Sequence, residues 1–199
     1  MVLASDLRPN ILGYHANDAD RCKRFIEDST YLIISPDTNW LGKGMYFWDN
    51  TCNLEYWANE KLRKAIRSGN VIDVKKTVSN VFTDNMLDLL DDKLLTTLET
   101  LWSKWCSKDT EQKPNVPLGE KIDILFKHFD ILSIFSVIRV AGRYNKTIKE
   151  TRNFLNDNFF DTNKIRTGRI VPHPSQDIKI IYCVREDSSY VVNRNYVEV

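Results

Sequence analysis

The chain lacks a dominant charge: across 199 residues, 28 Lys plus Arg nearly cancel 27 Asp plus Glu, leaving a formal charge of +1. So weak a global field excludes binding to nucleic acid or membrane driven by net charge alone. Long hydrophobic runs are missing too. Tyr31 to Ile34 and Ile131 to Ile138, the longest apolar stretches, fall far short of the roughly 20 residues that a membrane-spanning helix requires. Met1 to Arg8 carry neither a basic leader nor an extended apolar core, so no secretory signal is read there and a cytoplasmic location, without membrane contact, is expected. The few cysteines, Cys22, Cys52, Cys106 and Cys183, never form a CxxC and never sit near a His at ligand spacing, so the expectation is reduced thiols and no metal site. Phosphate-binding signatures are absent: there is no GxGxxG, and the single Gly-Lys-Gly is not a Walker loop. No internal repeat or low-complexity tract breaks the chain.

What remains is an ordinary globular composition, 42% hydrophobic and 28% charged, read as a single domain over residues 1–199. Periodicity places a short strand at Asn10 to His15, a helix at Ala19 to Asp28, and a second short strand at Tyr31 to Ile34 closed by the turn residues Ser35 to Asn39. A glycine turn in Trp40 to Gly44 feeds a strand that ends at Trp48, with Tyr46 and Trp48 on one face and Met45 and Phe47 on the other. A helix from Leu54 to Arg67 is stopped by Gly69, and Val71 to Val74 reads as a short strand. Asn85 to Cys106 has Leu at helical spacing, Lys108 to Pro117 is a surface loop, and helices are expected at Gly119 to Phe129 and Asn145 to Asn158. The apolar run Ile131 to Val140 is ambiguous between the two states. Ile178 to Val184 and Tyr190 to Val199 are strand-like. The fold class is therefore α+β with a helical middle section at about 84–160.

Of the three histidines, His128 reads as a packed or surface side chain and His173 as a loop residue between prolines. His15 differs because it ends a strand and precedes small, polar residues, a place from which a side chain can face a cleft. Leu41 to Trp48 strengthens that candidacy: the two glycines around Lys43 allow close backbone approach or a positive φ ahead of an aromatic strand.

Tyr14-His15 followed by Leu41-Gly-Lys-Gly-Met-Tyr-Phe47 resembles the catalytic domain of ADP-ribosyltransferases of the poly(ADP-ribose) polymerase and diphtheria-toxin type. Leu54-Glu-Tyr-Trp-Ala58 matches the helix that follows, and Lys179 to Arg185 resembles the strand bearing the third signature residue. These segments cover about a third of the chain. The resemblance implies a split β-sheet core and NAD as substrate, with His15 on the adenosine ribose hydroxyl, Tyr46 stacked on nicotinamide, and Trp57 closing the stack. Ala16 stands where the family has the glycine whose backbone grips the carboxamide. Gly42, Lys43 and Gly44 would shape the cleft wall, with Lys43 facing solvent, and Asn53 would replace a missing carboxamide contact because Leu54 occupies the usual serine position. Ile181 falls at the position of the family's glutamate, which implies transfer of single ADP-ribose units rather than polymer. A shifted register would recruit Glu186 instead.

The resemblance thus implies a mono-ADP-ribosyltransferase that needs no metal, acting on a protein, RNA or DNA acceptor. An intracellular toxin or defence effector, with an antitoxin or regulator as partner, suits that reading. The alternative is a catalytically silent module that binds NAD or ADP-ribose in the same cleft.

Overall fold

The computed structural model describes residues 8–38, 40–107, 116–143 and 178–198. In chain order the elements are β1 (Asn10–Asp18), α1 (Ala19–Glu27), β2 (Ser35–Asp37), β3 (Gly42–Trp48), α2 (Thr51–Arg67), β4 (Val74–Phe82), β5 (Met86–Asp88), α3 (Asp92–Cys106), α4 (Leu118–His128), β6 (Val137–Arg143), β7 (Ile178–Val184) and β8 (Val191–Tyr196). The strands form one mixed sheet in the order β5-β6-β7-β3-β1-β4-β8, with β2 paired to β3 off this path. All pairings are antiparallel except β5 with β6. The fold is α+β.

Period-two alternation in β3 explains how the sheet buries both faces. Met45 and Phe47 enter a core with Cys22 and Phe25 of α1, Leu32, Ile33 and Val81. Trp48 enters the other core, with Leu41, Leu87, Ile122, Ile138, Ile181 and Cys183, against which Tyr46, Trp57 and Phe126 pack. Substituting a charge on either face would therefore strand it in an apolar layer.

The ladder between β4 and β8 shifts register between Val78 and Asn80, but the thinnest pairing lies at the centre of the sheet. β1 matches β4 over nine consecutive residues, from Asn10 opposite Phe82 to Asp18 opposite Val74. Against β3 it is in register at a single pair, Tyr14 with Trp48. Beyond that pair the ladder opens, and the His15 ring takes over a role of the missing backbone partner by hydrogen bonding to the carbonyl of Tyr46. Backbone groups in the interior need such a partner.

Several expected boundaries change. Tyr31 to Ile34 is not a strand; its apolar residues are held by core burial, and the pairing segment is the next one, Ser35–Asp37. β1 continues past His15 to Asp18, and the strand after α2 starts at Val74, where the expected one ends, and runs to Phe82. In Asn85 to Cys106 the helix starts only at Asp92, because Met86–Asp88 pairs with β6 and Asp91 caps the helix by accepting from the backbone N–H of Lys93 and Leu94. The ambiguous run divides into a short 3-10 turn, Asp130–Ile134, and β6. The section read as a helical insertion thus supplies two strands to the sheet. The expected helix Asn145 to Asn158, His173 and most of the Lys108 to Pro117 loop lie outside the described residues. No helix among the described residues is long and apolar enough to cross a membrane.

Candidate active site

The opening between β1 and β3 is a cavity of about 380 Å³. His15, Ala16 and Asn17 line it from β1, Tyr46 and Trp48 from β3, and Trp40 from the turn before β3. Arg21 of α1, Trp57, Glu60, Lys61 and Lys64 of α2, and the segment Ile33 to Pro36 complete the wall. Sites of this kind combine apolar surface with a few placed polar groups.

His15 is buried, and both ring nitrogens are engaged. Nδ1 lies 2.7 Å from the Tyr46 carbonyl oxygen and Nε2 lies 3.1 Å from the Asn17 amide nitrogen. Burial pushes its pKa down to about 4, although the bond to the Tyr46 carbonyl works against that shift. The imidazole is therefore neutral at physiological pH.

Tyr46 is held as firmly. Its hydroxyl donates to the Gly42 carbonyl at 2.7 Å and accepts from the Leu41 N–H at 3.0 Å, so the phenol closes the turn that leads into its own strand. Gly42 has φ of 77°, and a Cβ there would also run into the carboxylate of Asp123. That carboxylate, on α4, accepts from the Lys43 N–H through both oxygens at 3.0 Å and from Arg185 at 2.9 Å. The glycine at position 42 thus serves a left-handed turn braced by a helix from the middle of the chain.

Gly42, Lys43 and Gly44 do not line the cavity; they form the start of β3, the strand that carries Tyr46 to it. A Cβ at Gly44 would strike the Cys183 sulfur and the Val184 carbonyl, so this glycine lets β3 and β7 approach closely. Lys43 faces solvent and pairs with Glu186 at 3.0 Å. Glu186 therefore does not return a carboxylate to the cleft: it is exposed, sits beside a different cavity with Asp123 and Arg185, and Lys43 holds its carboxyl below the usual range.

Ile181 is fully buried opposite Trp48 in the register of β3 and β7, within the core rather than on the cavity wall. Asn53 is also buried, donating its side-chain N–H to Asp49, and does not line the cavity. Trp57 reaches the wall, but it stacks on Trp48, with ring centroids 5.0 Å apart and planes 7° from parallel. Its partner is thus another wall residue and not Tyr46 across the slot.

Asn17, Trp40, Glu60 and the basic residues at the rim were not singled out by sequence reasoning. Arg21, Lys61 and Lys64 bring three cations to the cavity, against one carboxylate, Glu60. Glu60 accepts from Arg63 at 2.7 Å and Lys61 lies 3.5 Å from Asp18. The helical spacing of Lys61, Lys64 and Glu60 on α2 was the available signal. Among the described residues no group of three or more His, Cys, Asp or Glu could hold a metal. Cys22, Cys52 and Cys106 are free thiols, and burial pushes the Cys22 thiol up to about 11, which makes it a poor nucleophile.

No protein-family model matches the sequence, and no curated protein or solved structure matches it either.

Proposed function

We propose that the chain is an NAD-dependent mono-ADP-ribosyltransferase of the poly(ADP-ribose) polymerase and diphtheria-toxin type. The observation that carries this reading is the meeting of His15 and Tyr46, distant in sequence, at one cavity in the opened centre of the sheet. The single β1 to β3 register pair agrees with the split sheet that the motifs imply.

The chemistry of the wall fits a dinucleotide. Aromatic rings at Tyr46 and Trp40 offer flat surface for nicotinamide or adenine, and the cations of Arg21, Lys61 and Lys64 favour a pyrophosphate. In the reaction, the bond between nicotinamide and ribose breaks, its electron pair leaves with nicotinamide, and positive charge develops on the ribose. An acceptor nucleophile then forms the new bond to that carbon and releases its proton. Glu60 is the wall carboxylate able to face the developing charge, while Ile181 contributes no acid. The acceptor is a protein, RNA or DNA, and an antitoxin or other regulator is the partner this activity would call for.

Incubation with labelled NAD and cell extract, followed by separate nuclease and protease digestion, tests the proposal. Label should enter macromolecules and be lost in His15→Ala and Tyr46→Ala variants that remain folded. Saturable NAD binding without transfer in the wild type would instead identify a silent binding module.

A further inference from the structure

We infer that Asn17, not His15, is the polar side chain of β1 that contacts the ligand, with His15 as the positioning residue behind it; this rests on the NAD-binding reading above. The argument follows from hydrogen-bond polarity. The Asp18 N–H donates to the Asn17 side-chain oxygen at 2.9 Å, which fixes the amide with its nitrogen toward the imidazole. The amide nitrogen can only donate, so His15 Nε2 must accept. A ring whose Nε2 accepts and which is neutral carries its proton on Nδ1, and that proton points at the Tyr46 carbonyl.

The chain of bonds runs without a break from the Asp18 backbone through the amide and the imidazole to the β3 backbone. It leaves His15 no nitrogen for a ligand. An amide nitrogen has two hydrogens, and among the described residues Asn17 spends one of them on His15. Asn17 is buried and lines the cavity, so its second N–H is the donor that this wall presents to a ligand acceptor oxygen such as a ribose hydroxyl. The arrangement resembles the way an outer partner sets the tautomer and aim of a metal-binding imidazole, with the order of layers reversed.

Calorimetric titration of NAD into the wild type, Asn17→Ala, Asn17→Asp and His15→Gln, with nitrogen NMR of the His15 ring before and after NAD, tests the inference. Asn17→Ala and Asn17→Asp should each weaken NAD by about tenfold, the size of one lost hydrogen bond in a buried site. The ring should show a proton on Nδ1 and none on Nε2, unchanged by NAD. Wild-type binding with unaltered affinity in Asn17→Ala overturns this inference and leaves the NAD reading intact. So does wild-type binding with a ring whose Nε2 gains a proton or is shifted by NAD. Absence of NAD binding to the folded wild type overturns the functional reading, and this inference with it.

Discussion

Replacing Tyr46 by Phe removes one oxygen and keeps the aromatic face, so it isolates the turn closure from any stacking role. In the wild type that oxygen accepts from the Leu41 N–H and donates to the Gly42 carbonyl. Leu41 and Gly42 are both buried, so water cannot replace either bond without opening the turn. An orphaned buried polar group costs about 1–3 kcal/mol, and the braced position of Gly42 against Asp123 limits relaxation. The expected loss for Tyr46→Phe is therefore about 1–3 kcal/mol, read from urea unfolding with an unchanged denaturant slope. NAD affinity should fall less in Tyr46→Phe than in Tyr46→Ala, because the ring survives in the former. A stability loss below about 0.5 kcal/mol, within the range of ordinary surface changes, would refute the claim that the phenol locks the turn.

Arg194 of β8 donates to the carbonyls of Phe25, Asp28, Ser29 and Tyr31, anchoring the end of α1 and the loop that delivers Ile33 to Pro36 to the cavity. Arg194→Ala should cost about 3 kcal/mol or more in chemical denaturation, and Arg194→Lys should not restore it because an ammonium cannot span the same fork. His15 supplies a pH signature: its pKa falls from 6.5 in the unfolded chain to about 4 in the fold, so the unfolded state binds the proton more tightly. Its contribution is complete above about pH 6.5 and shrinks by up to about 3 kcal/mol as pH drops toward 4, a slope that should be missing from His15→Gln in parallel unfolding curves. Glu60→Gln should lower the rate of label transfer at least tenfold while calorimetry shows NAD binding retained, as expected for a group that meets charge only in the transition state. Equal loss of rate and affinity would reassign Glu60 to binding.

The legible part of the fold was that in which local pattern and tertiary role agree. β3 alternates between two cores and α2 ends where Gly69 takes a φ of 71°, so both could be read from residue order. Tyr31 to Ile34 misled because burial, not pairing, selects its apolar residues, and Val74–Phe82 was hidden by lysines and an asparagine along a half-exposed strand. The start of α3 was blurred because Leu87 and Leu89 continue a helical spacing while serving the sheet and its turn. At the site, the conjunction of His15 and Tyr46 was accessible only through motif resemblance, since nothing local says that two strands will separate there. Asn17 lies in the run of small, polar residues after His15 and carries no motif of its own. Its use as a partner for His15 depends on the next backbone N–H turning its amide, a three-residue arrangement that spacing does not encode. Ile181 shows the opposite limit, a position fixed by alignment whose side chain the β3 to β7 register turns into the core.

Tryptophan fluorescence offers the most direct check, because Trp40, Trp48 and Trp57 all stand on the cavity wall. Titration with NAD should give a saturable change in the wild type whose midpoint moves about tenfold to higher NAD in a folded His15→Ala variant, the loss expected when the Asn17 donor is no longer held in place. A flat response to millimolar NAD, or the same saturation curve in both proteins, would contradict the assignment of this cavity to the dinucleotide.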